Sequence, residues 1–75
     1  MSVDVEIELK PGVTVGIKET PRGFLVQKST SVVRSRGRMV GSAGSASILA
    51  ALWAGELGAS AEDLEKLRAV GREKP

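Results

Sequence analysis

Cysteine, histidine and tyrosine are all absent from the chain. Without thiols or imidazoles there is no disulfide framework, no Cys/His zinc site and no Ser-His or Cys-His nucleophile pair, and a reducing compartment is the natural setting. Phe24 and Trp53 are the only aromatic residues, so a base-stacking platform like those of single-strand binders has little to be built from. No stretch approaches the roughly 18 consecutive apolar residues of a membrane span. The opening Met1-Ser2-Val3-Asp4-Val5-Glu6 lacks the basic and apolar regions of a signal peptide. The expectation is a cytoplasmic protein with no membrane partner, no cofactor and no enzymatic activity. Asp4, Glu6 and Glu8 are carboxylates, but strand-spaced side chains do not converge on a cation as a calcium loop does, so no metal is expected.

What the chain does have is an uneven distribution of charge. Its net charge is only +2, with a pI near 9.4. Between Gly23 and Gly44, however, the only ionisable side chains are Lys28, Arg34, Arg36 and Arg38, and no acid interrupts them. Such a local excess attracts a polyanion. Read as a β-strand, Val32 to Val40 turns Val32, Arg34, Arg36, Arg38 and Val40 to one side and Val33, Ser35, Gly37 and Met39 to the other. Successive Arg side chains then stand about 6.6 Å apart. Arg36-Gly37-Arg38 also echoes the Arg-Gly-Arg core of minor-groove hooks.

The periodicity places this strand in an α+β domain spanning residues 1–75. Val3 to Leu9 alternates strictly, with Val3, Val5, Ile7 and Leu9 on one face and Asp4, Glu6 and Glu8 on the other. Lys10-Pro11-Gly12 supplies a turn, Val13, Val15 and Ile17 continue the inward pattern, and Thr20-Pro21-Arg22-Gly23 makes a second turn into Phe24-Leu25-Val26-Gln27-Lys28. Residues 1–40 thus read as an antiparallel meander of three to four strands. A Gly/Ser connector over 41–46 leads to two helices within 47–71, packed on one face of the sheet, and residues 72–75 read as a tail.

In the first helix Ile48, Leu49, Leu52 and Trp53 form an apolar stripe expected to face the core, with Ser42 or Ser45 as N-cap. Gly58 suits the left-handed position that ends this helix. Ser60-Ala61-Glu62-Asp63 resembles a capping box opening a second helix to about Val70, with Leu64 and Leu67 inward. The expected core is Val3, Val5, Ile7, Val13, Val15, Ile17, Leu25, Ile48, Leu52, Trp53, Leu64 and Leu67. A chain this short buries only about 60 % of its unfolded surface, so a homodimer or higher homo-oligomer is expected.

The functional expectation is a small basic nucleic-acid-binding protein, architectural or regulatory, with DNA favoured over RNA. Arg34, Arg36 and Arg38 would bind phosphates or enter a groove, Lys28 would stand at the margin, and Gly41 and Ser42 would add backbone or hydroxyl contacts to phosphate. A competing possibility is a charge ladder: Asp4, Glu6 and Glu8 share the spacing of the Arg row and would neutralise it if the first and last strands were neighbours. Two other classes stay open. Leu9-Lys10-Pro11-Gly12-Val13, Gly23-Phe24-Leu25-Val26, Gly44 to Leu52, Gly55 and Ser60-Ala61-Glu62-Asp63-Leu64 follow an order that resembles PqqD-like leader-peptide recognition domains. That resemblance implies a winged-helix-like fold, three strands before three helices, binding an extended peptide between the Val32–Val40 strand and the helix bearing Leu64 and Leu67. The third class is a self-assembling structural protein.

Overall fold

A computed structural model describes residues 3–30 and 36–73. Strands β1 (Asp4–Lys10), β2 (Val13–Thr20), β3 (Gly23–Ser29) and β4 (Arg36–Val40) precede helices α1 (Ala43–Glu56) and α2 (Ala61–Glu73). The strands form one antiparallel sheet in the order β1-β2-β3-β4. The fold is therefore α+β, a meander followed by two helices, with both helices on one face of the sheet.

Alternation explains the sheet. Val5 pairs with Ile17 and Ile7 with Val15, so the apolar residues of β1 and β2 share a face, while Asp4, Glu6 and Glu8 stand opposite Lys18, Gly16 and Thr14 on the other. Ile17 in turn pairs with Val26 of β3. Val15, Ile17 and Val26 are almost completely buried and form the floor of the core.

The helical layer departs from the expected stripe. Ala43, Ala46, Ala50 and Ala54 are the α1 residues buried against the core, whereas Ile48 is 72 % exposed and Leu52 57 % exposed. Both were expected inside. α1 carries apolar residues almost all round, so its periodicity does not choose a face, and the alanines allow the closer approach to β2 and β3. The helix also begins four residues earlier than expected, at Ala43 rather than Ser47, and absorbs most of the Gly/Ser connector. Ser42 is its N-cap, accepting the Ser45 N–H at 3.2 Å.

At its end Gly58 adopts φ +87°, with Ala59 N–H donating to the Ala54 carbonyl at 2.9 Å and Gly58 N–H to Gly55 at 3.2 Å. This is the paired-bond helix stop that favours glycine. Ser60 then caps α2 through the Asp63 N–H at 3.2 Å. α2 continues past the expected end, through Gly71. Leu67 and Val70 are buried, and α2 lies mainly on α1 while touching β1. Among the described residues, no helix is long and apolar enough to cross a membrane.

Candidate nucleic-acid interface

The pairing of β3 with β4 sets Lys28 opposite Arg36, Val26 opposite Arg38 and Phe24 opposite Val40. Because Val26 is buried beneath α1, these residues all lie on the helix-bearing face. β4 is an edge strand that α1 covers only in part, so Arg36 and Arg38 are exposed beside the helix. The alternation expected for the Arg row holds over its described members. Arg34, with Val32, lies outside the described residues.

Lys28 joins the cluster from β3. It is half-buried, and its Nζ stands 4.7 Å from the centroid of the Trp53 ring, reaching across from sheet to helix. Such a contact contributes about 0.5–1 kcal/mol where partly exposed. Trp53, expected as a core anchor, does pack against the core, but it is only half-buried and also borders the basic cluster. Sequence spacing carries no signal for this contact, because Lys28 and Trp53 meet only once α1 folds back over β3.

The acidic row does not neutralise the cluster. β1 and β4 are opposite edges of the sheet, three strand spacings or about 14 Å apart. Asp4, Glu6 and Glu8 also lie on the opposite face from Arg36 and Arg38. A separation beyond the Debye length of about 10 Å at 0.1 M salt leaves the two rows largely screened from one another. The intramolecular ladder is thus ruled out for the described residues. Among these residues the ion pairs are Lys66 with Glu62 at 3.7 Å and Arg72 with Glu65, both on α2. Among the described residues neither Arg36 nor Arg38 has a carboxylate within 4.0 Å, and Arg36 stands opposite another cation, an arrangement that costs rather than contributes stability.

Gly41 and Ser42 follow directly on β4. The Ser42 hydroxyl is committed to the cap: it accepts the Ser45 N–H and donates to Ser45 Oγ at 3.1 Å. Gly41 is exposed in open space. The described basic surface is therefore Arg36 and Arg38, flanked by Lys28 on Trp53 and by Gly41.

The groove implied by the PqqD-like resemblance is not formed by the described residues. Its strand is represented by β4, whose neighbouring helix is α1, while Leu64 and Leu67 belong to α2 on the far side. A strand-and-helix groove does exist at the other edge, between β1 and α2. It encloses about 620 Å³ and is lined by Val5, Ile7, Glu8, Asp63, Lys66 and Val70 among others. Comparison of the chain with protein-family models, curated proteins and solved structures gives no match.

Proposed function

We propose that the chain binds nucleic acid through the β4 edge, with double-stranded DNA as the preferred ligand. The observation that carries this reading is the cluster of exposed Arg36 and Arg38 with half-buried Lys28, unneutralised among the described residues, its like charges held side by side across two strands. Nothing in folding favours placing Arg36 opposite Lys28, whereas a polyanion turns the repulsion into attraction. Arg36 and Arg38, about 6.6 Å apart on one face, offer planar forks to successive phosphates or to base edges, and Arg34 continues the same alternation in sequence.

The test is binding to a DNA duplex, single-stranded DNA and duplex RNA across a salt series. Wild type is compared with Arg34→Ala/Arg36→Ala/Arg38→Ala, and the fold of both is checked by circular dichroism. The expected result is duplex DNA binding with a steep salt slope, with the folded variant losing about 0.9 from the slope for each phosphate contact removed. A wild type that fails to bind even at low salt sinks the reading.

One observation favours a second reading, that of a peptide-binding module. The Glu19 N–H bonds to the Val3 carbonyl at 2.8 Å, which sets the phase of β1. Residues 3, 5 and 7 turn their main-chain groups toward β2, and those of Asp4, Glu6 and Glu8 face the open edge above the β1–α2 groove. An extended peptide added there would bind with little salt dependence, and Arg36 and Arg38 would play no part.

A further inference from the structure

β1 is an edge of the sheet, and among the described residues no strand pairs with its outer side. The main-chain N–H and C=O groups of Asp4, Glu6 and Glu8 point outward there, because those of Val5 and Ile7 are bonded to Ile17 and Val15. α2 lies mainly on α1 and only touches β1, which leaves the groove of about 620 Å³ along this edge. Its floor is half-buried Val5 and Ile7, and its wall is Ala69 and Val70 of α2. Open main-chain donors and acceptors beside an apolar trough under a helix fit one more extended strand.

Charge narrows what that strand can be. Glu6 stands opposite Gly16 and Glu8 opposite Thr14, so neither carboxylate has a charged neighbour across β2, and neither is ion-paired among the described residues. Asp63, on the helix side of the groove, is likewise outside those ion pairs, while Lys66 is matched by Glu62 at 3.7 Å. Such a rim repels nucleic acid and attracts cationic side chains. On an added strand, the side chains opposite Glu6 and Glu8 share the face of those carboxylates, and the one between them, opposite Ile7, turns into the groove.

We propose that the β1 edge binds an extended protein segment of basic-apolar-basic pattern as a fifth strand, with Lys or Arg against Glu6 and Glu8 and an aliphatic side chain between Ile7 and α2. It rests on the peptide-binding reading of the chain, whose partner it names by chemistry, and it leaves the β4 edge free. Main-chain bonds and the aliphatic anchor supply most of the affinity, and the carboxylates select the sequence.

The test titrates the full chain into a labelled peptide, Lys-Val-Lys-Val-Lys blocked at both ends, and follows fluorescence anisotropy. The wild type should bind it, and should bind Glu-Val-Glu-Val-Glu more weakly by a factor on the order of ten or more. Glu6→Lys/Glu8→Lys, at exposed positions, should remain folded by circular dichroism and reverse that preference. Ala69→Arg, which fills the groove, should weaken both peptides. N-methylation of the lysine peptide, either at its lysines or at its valines according to strand direction, should abolish binding. Arg34→Ala/Arg36→Ala/Arg38→Ala should bind like the wild type. If neither peptide binds, this proposal and the peptide-binding reading fail together. If the two peptides bind equally well, the proposal fails while that reading stands. Binding that survives both N-methylations, or is indifferent to Ala69→Arg, rules out the fifth strand. A wild type that sediments above its 7.9 kDa chain mass, returns to it in Glu6→Lys/Glu8→Lys and does not take up the peptide has a second copy on this edge, which overturns the proposal equally.

Discussion

The Lys28 ammonium rests over the Trp53 ring, 4.7 Å from its centroid, and so joins the basic edge of the sheet to the first helix. Trp53 is the only tryptophan in the chain. Its emission therefore reports on the basic cluster without interference. Addition of duplex DNA should shift or quench that emission at low salt, and Lys28→Met should alter the unliganded spectrum and weaken the response. A spectrum unchanged by DNA under conditions where binding is independently measured would place the ligand elsewhere.

Arg36 opposite Lys28 predicts a conflict between stability and binding. Arg36→Gln removes a like-charge cross-strand pair and should raise stability by a few tenths of a kcal/mol while lowering DNA affinity. Urea denaturation beside a binding titration checks both. Loss of stability in this variant would mean that Arg36 has a favourable partner.

The crossing of α1 and α2 depends on the absence of a side chain at Gly71. A Cβ there would overlap the Ser47 hydroxyl and lie 3.3 Å from Gly44 Cα. Ser47 is only 5 % exposed and donates to the Gly44 carbonyl at 2.8 Å, so it cannot swing away freely. Gly71→Ala gains about 1 kcal/mol of helix propensity against an overpacking cost of about 1–3 kcal/mol, and a net loss is expected. The loss should shrink in a Ser47→Ala background, the coupling being read from a double-mutant cycle of melting curves.

The two helices should also differ in how they tolerate truncation. Leu67 is fully buried, and Leu67→Ala should cost about 2–5 kcal/mol. Leu52→Ala, at an exposed position, should change the stability of the monomer by less than about 0.5 kcal/mol. Dilute thermal or urea unfolding separates the cases, and equal costs would contradict the observed burial.

Gly58 offers a test of the helix stop. At φ +87° an L side chain pays about 1–2 kcal/mol. Gly58→Ala should lower stability by that amount, and Gly55→Ala, in open space within the same helix, should raise it. Circular dichroism melts of both variants at low concentration decide the point.

Much of this architecture was legible because local chemistry specifies it. The alternation of Val5 and Ile7 with Glu6 and Glu8, the glycine stop at Gly58 and the serine cap at Ser60 each act within a few residues, and each stands where the pattern puts it. The start of α1 was not legible: Gly41 to Ser45 reads as a connector because glycine and serine are weak helix formers. Packing overrides that preference. α2 passes close by at Gly71, where a Cβ would meet Ser47 and the Gly44 Cα, so the helix turn that carries Gly44 and Ser47 is fixed by its contact with α2. The buried face of α1 was hidden for a related reason, since alanines and large aliphatics both read as apolar and only the distance to the sheet chooses between them.

By itself the sequence determined that three to four short segments would be strands, that two later stretches would be helices, and that the arginines of β4 would share one face. These follow from a two-residue period, a 3.6-residue period and the φ preferences of a few residues. Tertiary structure alone decided where those faces point. Strand order sent the acidic and basic rows to opposite edges, and register sent them to opposite faces. Whether the arginines were neutralised or left available was therefore a matter of pairing between distant segments, which no local pattern contains.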